Sequence, residues 1–349
     1  MSATTYHDTR LDARFGATRF AARGRADVLP AQRLLSGRIV RTPVVRSEEL
    51  DRRAGARIWL KAENLQRGGS FKLRGALLAV SRLAGDGASG VIAQSTGNHA
   101  IAVALAARDN ALPVVLVLPP DVACGKLDAV RAAGGEVVLE GATPAERSAV
   151  VERLRAERGW AVVDPWEDPD VVAGQSTATA ELIDQVWTAR GALDTIVVPV
   201  GGGTVLAGAC LASAGLGIDI VGAEPAAVPA LTEALRAGRP VAVPVRPTIA
   251  DGLRPDIIGR LPFEICRTGV SRVITVDEAA IADALCLALL HARLLVEPAA
   301  ATSLAGALAL LDETDNEARD VGVLLTGGNV DPALVARLLG ERDSRAGAA

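Results

Sequence analysis

The sequence predicts an α/β protein built from two open, mostly parallel twisted sheets flanked by helices, arranged as a large and a small domain. Three observations lead there. Short β-branched runs alternate with longer Ala-rich amphipathic stretches along most of the chain. The runs read as continuous Val, Ile and Leu, the pattern of strands covered on both faces. A chain of 349 residues also exceeds one comfortable core, which at about 150 residues per domain gives roughly two.

The elements run in order. From Gly90, "GVIAQ" is a strand, Gly97 to Asp109 a helix, "PVVLVL" a second strand, Gly125 to Ala133 a second helix and "EVVLE" a third strand. This series, Asp86 to Asp164, is compact enough to form a small sheet of its own, and the Pro/Asp-rich joint "DPWEDPD" (Asp164 to Asp170) ends it. The alternation resumes with "TIVVPV", a helix from about Thr204, "DIVGAE", "RVITVD" and "VGVLLT". The expected division is residues 1–85 and 166–349 for the large domain and 86–165 for a small, mobile one. The uncharged run Thr195 to Ile218 is long enough to raise the question of a membrane span. Pro199 and Gly201 to Gly203 break it into strand, loop and helix.

Composition narrows the partners. With 37 basic and 41 acidic residues the chain has no electrostatic footprint for nucleic acid or an acidic membrane surface, so a small molecule is expected. Cys124, Cys210, Cys266 and Cys286 are widely spaced with no C-x-x-C pair. They read as small apolar groups in a reducing compartment rather than a disulfide framework or zinc knuckle. The first twenty residues carry scattered charge and no apolar stretch, so no secretory signal is read there and a cytoplasmic location is expected.

In such folds ligands sit beyond the carboxyl ends of strands, where loops turn into helix N-termini. Three loops qualify. "PVGGGTVLAG" (Pro199 to Gly208) is a strand entering three glycines and then a helix, so backbone N–H groups and the positive helix end can converge on a phosphate. The same glycines can equally serve only a tight turn. A dinucleotide site is a rival from another class, with Gly201-x-Gly203 after a strand and Glu224 closing the next one, but the third fingerprint position is Leu206. "QSTGNHA" (Gln94 to Ala100) can grip a carboxylate at a helix start, or merely cap it. "LLTGGN" (Leu324 to Asn329) closes a strand with a hydroxyl, two glycines and an amide.

A fourth stretch joins them. "SFKLRGA" (Ser70 to Ala76) puts a lysine at the opening of an apolar helix. An amine nucleophile, a phosphate cradle and a carboxylate cradle together are what holds pyridoxal 5'-phosphate and presents an amino acid to it. "KAENLQRGGSFKLRGA", "STGNHA", "AGQSTATAEL", "PVGGGTVLAG", "GAEP" and "TGGNVD", in this order, resemble the fold-type II pyridoxal-phosphate enzymes, in the branch of threonine/serine dehydratases and serine racemase. The resemblance runs from about Pro30 to Gly340 and implies the tryptophan synthase β-like fold.

The resemblance also implies roles for individual residues. Lys72 would carry the cofactor covalently and Phe71 would pack against its ring. Asn98 would bond the ring hydroxyl, Gly201, Gly202 and Gly203 would hold the phosphate with Thr204 in place of a fourth glycine, and Thr326 would meet the pyridine nitrogen. A neutral hydroxyl there makes the ring a weaker electron sink, which favours loss of a β-substituent over transamination. Ser95, Thr96, His99 and Gln175 lie where the substrate is bound, and Thr96 also stands where serine racemase keeps a catalytic serine. Lys61 is the nearest competing lysine and lacks the Ser-Phe-Lys context. Relatives that bind Mg or Ca use a glutamate with an aspartate six residues on; Glu224 is followed there by Ala230, so no metal is expected. A homodimer is expected, and no regulatory domain.

The expected activity is that of an ammonia-lyase converting L-threonine or L-serine, or a close β-hydroxy amino acid such as 3-hydroxyaspartate, to a 2-oxo acid and ammonia. A racemase and a β-replacement synthase are the neighbouring alternatives, and a nicotinamide-binding oxidoreductase the contrasting one. Arg147 and Arg153 can meet a second substrate carboxylate, or can simply line a solvated helix face.

Overall fold

In chain order, the strands are β1 (Val44–Val45), β2 (Arg57–Ala62), β3 (Val91–Gln94), β4 (Val114–Leu118), β5 (Glu136–Leu139), β6 (Ala161–Val162), β7 (Thr195–Pro199), β8 (Asp219–Pro225), β9 (Arg272–Val276) and β10 (Asp320–Leu325). They come from a computed structural model that describes residues 28–346 apart from 96, 123, 190 and 314–317. The helices begin with α1 (Val28–Leu35), α2 (Glu48–Ala54), α3 (Lys72–Gly85), α4 (Asn98–Asp109), α5 (Cys124–Ala133), α6 (Pro144–Arg158) and α7 (Pro169–Ala189). They continue with α8 (Thr204–Ser213), α9 (Ala230–Ala237), α10 (Arg260–Gly269), α11 (Glu278–Ala292), α12 (Pro298–Leu311) and α13 (Pro332–Ala346).

Two sheets form, as the alternation predicts. The larger runs β1-β2-β10-β7-β8-β9, and all its pairs are parallel except β1 with β2; the smaller, β5-β4-β3-β6, is entirely parallel. The last strand of the chain, β10, thus lies between β2 and β7. Its carboxyl end at Leu325 pairs in register with Ala62 of β2, so the loops after Ala62, Leu325 and Pro199 open on one edge. β2 escapes the sequence reading because Arg57 and Lys61 interrupt its apolar run; Arg57 pairs with Asp320 of the neighbouring strand and Lys61 is fully buried.

Helix α8 carries no charged residue and is buried along its whole length, as expected of a helix surrounded by protein. It and α3 both pack on α7 through glycines. A methyl group on Gly174 of α7 would lie 2.5 Å from the Arg74 carbonyl oxygen, and one on Gly208 would lie 2.7 Å from the Ser176 nitrogen. Only glycine permits these crossings, and they set the position of the helix that starts with Lys72. Among the described residues, no helix is long and apolar enough to cross a membrane.

A buried ion cluster locks the same helix. The Arg74 guanidinium is bonded to both Glu63 oxygens, at 2.8 and 2.7 Å, and to both Glu181 oxygens, at 2.8 Å each. Lys61 Nζ donates to Glu181 at 2.7 Å, to the Thr42 carbonyl at 2.8 Å and to Gln185 at 2.9 Å. Two cations face two carboxylates with further hydrogen bonds, the arrangement that makes buried charge tolerable. The Arg74 partners hold Glu63 below the usual carboxylate range despite its burial, while burial pulls Lys61 below the usual lysine range. Lys61 is therefore committed to the scaffold.

Candidate active site

The site assembles where two loops zip together. Phe71 N–H donates to the Thr326 carbonyl at 2.9 Å, Ser70 bridges Gly327, and Gly328 N–H donates to the Gly69 carbonyl at 2.9 Å. Gly68 and Gly69 sit at φ 75° and 73°, in the left-handed region that lets the chain turn sharply before α3. Lys72 is then the first helical residue. Its side chain is partly exposed, with Nζ 4.9 Å from the Phe71 ring centroid, and Phe71 itself is buried in the same core cluster as Val198, Val200 and Leu324. Burial pulls the Lys72 amine down to about 8, against the opposing charges of Glu297 and Asp164.

Asn98, at the start of α4, reaches across to the large sheet. Its amide nitrogen donates to both Glu297 oxygens, at 2.8 and 3.1 Å, and its carbonyl accepts from Asn329 Nδ2 at 2.8 Å. Asn329 also donates to the Gly68 carbonyl at 2.8 Å. These bonds fix the Asn98 amide and tie the small sheet's first loop to both zipped loops. Glu297 escapes the sequence reading: it stands alone before "PAA", with no local pattern to mark it, and only the fold brings it to Asn98 and Lys72. Asp164 is likewise invisible, since a Pro/Asp joint reads as a turn.

The other predicted residues fall into three groups. Gly201 to Gly203 run from β7 into α8, with Gly203 at φ 92° and Thr204 as the first helical residue, buried. A methyl on Gly203 would lie 2.8 Å from both Ile258 and Pro262, so only glycine fits this turn, the kind of strand-to-helix turn that can hold a phosphate. Ser95 accepts the Gly97 N–H at 3.2 Å and so shapes the turn into α4, whose first-turn N–H groups have no intrahelical partner. Thr326 is buried beside Phe71. Thr96 lies outside the described residues.

His99 and Gln175 are both buried. The His99 ring is buried and its Nε2–H donates to the Val163 carbonyl at 3.1 Å, leaving Nδ1 without a partner among the described residues. Burial, reinforced by the Lys72 charge, pulls His99 down to about 3, so the imidazole is neutral. Gln175 is fully buried against Gly75, one turn along from Lys72, with neither amide atom bonded among the described residues.

Glu224, a candidate for contact with a ribose or a metal, spends both oxygens on the N-terminus of α9, accepting from Leu231 N at 3.0 Å and Thr232 N at 2.9 Å. Arg153 pairs with Glu140 at 2.6 Å on the surface. Arg147 differs: half-buried, it bonds the Gly141 and Ala142 carbonyls at 3.1 and 3.0 Å. Its neighbour Ser148 accepts from Gln94 Nε2 at 3.0 Å, which brings the start of α6 against the residue preceding Ser95.

A lysine of lowered pKa at a helix start, in a fold that also carries a glycine turn between β7 and α8, suits an aldehyde cofactor with a phosphate tail. The family model described as pyridoxal-phosphate dependent enzyme matches residues 35–327. The chain belongs to this family. Its cofactor is pyridoxal 5'-phosphate, and its relatives place it among the ammonia-lyases and racemases. It is 37% identical to the L-threo-3-hydroxyaspartate ammonia-lyase of Saccharomyces cerevisiae, over 91% of this chain and 96% of that one. It is 34% identical to the L-threonine ammonia-lyase of Thermotoga maritima, over 90% of this chain and 77% of that one. The structure of maize serine racemase superposes with a TM-score of 0.85 at 32% identity, covering 93% of this chain and 99% of that one. Membership in a pyridoxal-phosphate family decides against the nicotinamide alternative.

Proposed function

We propose that the chain is a pyridoxal-phosphate-dependent ammonia-lyase for β-hydroxy amino acids that end in a second carboxylate, of the 3-hydroxyaspartate type. The observation that carries this reading is Arg147. It is half-buried at the carboxyl edge of the small sheet, beside the loop that begins at Ser95, and is held there by backbone carbonyls rather than by a bonded carboxylate. A fixed guanidinium of this kind is suited to a planar carboxylate. Similarity to the yeast 3-hydroxyaspartate enzyme supports the same choice. Asp121 acts on Arg147 electrostatically and would partly neutralise it, which favours the second reading, L-threonine or L-serine.

In this reading the phosphate would rest on Gly201 to Thr204, Asn98 would meet the ring, and Lys72 would hold the aldehyde carbon. When bound, the cofactor supplies an electron-withdrawing ring that stabilises charge at the substrate α-carbon. The α-carboxylate would take hydrogen bonds from the first-turn N–H groups of α4. The Lys72 amine, lowered to about 8 by burial, is well matched to accept the α-proton near neutral pH. Loss of the β-hydroxyl as water and hydrolysis of the released product convert 3-hydroxyaspartate to oxaloacetate and ammonia, serine to pyruvate and threonine to 2-oxobutanoate.

A panel of β-hydroxy amino acids assayed for ammonia and 2-oxo acid release tests the proposal. The expected result is the highest kcat/KM on L-threo-3-hydroxyaspartate, with Arg147→Met lowering it by about 10²-fold, an ion-pair loss of about 2–3 kcal/mol, while serine turnover stays near wild type. Equal loss on serine and hydroxyaspartate, or preference for threonine, would refute the acidic-substrate reading.

A further inference from the structure

The joint Asp164 to Asp170 also reaches the glycine cradle. Trp166 lays the pyrrole edge of its indole on Gly202, so that a methyl group there would clash with Cδ1 and Nε1 and come within 3.0 Å of Cγ. The indole is fastened on both sides. Asp164 Oδ1 accepts the Trp166 N–H at 2.7 Å and the Glu167 N–H at 2.8 Å. The Glu167 carboxylate in turn accepts from Arg260 N at 2.6 Å and Leu261 N at 3.0 Å, capping α10, and Gly259 N–H donates to the Gly202 carbonyl at 3.2 Å. The loop and the joint are thus bound into one unit.

The indole donor itself is unused. Among the described residues Trp166 Nε1–H has no hydrogen-bond partner, whereas Trp59 Nε1–H donates to Asp320 at 3.0 Å. A buried or half-buried indole ordinarily finds an acceptor, and an indole N–H can only donate. Beside Gly202, with no acceptor among the described residues and only partial burial, this N–H is open to a ligand oxygen on the glycine loop.

We infer that Trp166 is a phosphate-binding residue of this chain: its indole N–H donates to the cofactor phosphate on Gly201 to Gly203, and its ring holds that loop in register with the interdomain joint. The inference rests on pyridoxal phosphate occupying the cradle, so wild-type binding is measured alongside. Trp166→Phe keeps an aromatic ring and removes only the donor; Trp166→His restores an N–H on a smaller ring. Each protein, stripped of cofactor, is titrated with pyridoxal phosphate and with pyridoxal, which lacks the phosphate. Trp166→Phe is expected to weaken pyridoxal phosphate about tenfold, a typical value for a hydrogen bond to a charged group, with pyridoxal affinity unchanged and partial recovery in Trp166→His. Wild-type affinity for both ligands in Trp166→Phe, or equal weakening of both, would overturn it and leave the indole a packing role. Failure of the wild-type protein to bind pyridoxal phosphate would instead count against the cofactor reading on which the inference rests.

Discussion

At the scale of single residues, the proposed site centres on one amine, Lys72, whose environment is tuned from two sides. Burial pushes the Lys72 ammonium towards its neutral form, and the Glu297 and Asp164 carboxylates push back. Removing one of those charges must lower the pKa further. Glu297→Gln is therefore expected to move the rising limb of the pH–rate profile, set by Lys72 deprotonation, to lower pH, and to reduce kcat because the Asn98 amide loses charged acceptors; a limb that stays put would show that Glu297 does not act on Lys72. His99 gives a complementary expectation. Held neutral down to about 3, it should contribute no titration between pH 5 and 8, which histidine NMR can check. Lys72 and the three glycines could be proposed from sequence because each lies inside a short contiguous pattern. Glu297, Asp164 and Trp166 could not, because their roles arise from contacts between segments far apart in the chain.

At the scale of elements, the helix that begins with Lys72 is positioned by glycine crossings and by a buried ion cluster. Arg74→Met would leave Glu63 buried without its main partner, and a loss of about 3–5 kcal/mol in unfolding free energy is expected, measured by urea denaturation. Adding Glu63→Gln should recover part of it, because the stranded charge is then gone. Gly174→Ala presses a methyl group onto backbone atoms of α3 and should cost about 1–3 kcal/mol. Most parallel strands announced themselves as Val/Ile runs, and α4, α5 and α8 start within a residue of their expected positions. β2 stayed hidden because a buried charged residue near the end of a strand, Lys61, is interpretable only once its partners on α7 are known.

At the scale of the whole molecule, Asn98 at the start of α4 ties the small sheet to Glu297 and Asn329 of the large one, and the described groups proposed to touch ligand come from both parts. The large sheet brings Lys72, Gly201 to Gly203 and Thr326, and the small sheet brings the start of α4, proposed to bind the substrate carboxylate, and Arg147. The fold and cofactor could be read from ordered motifs, while the substrate could not, because no motif in the sequence marks the residues that would meet the β-substituent.

The central claim, that the amine at position 72 holds the cofactor, is tested most directly by borohydride reduction of the protein with pyridoxal phosphate, followed by peptide mass mapping. A pyridoxyl-phosphate mass on the peptide containing Lys72, absent in Lys72→Ala together with ammonia release, is the predicted result. The same mass on Lys61 or any other lysine, or ammonia release that persists in Lys72→Ala, would contradict the account.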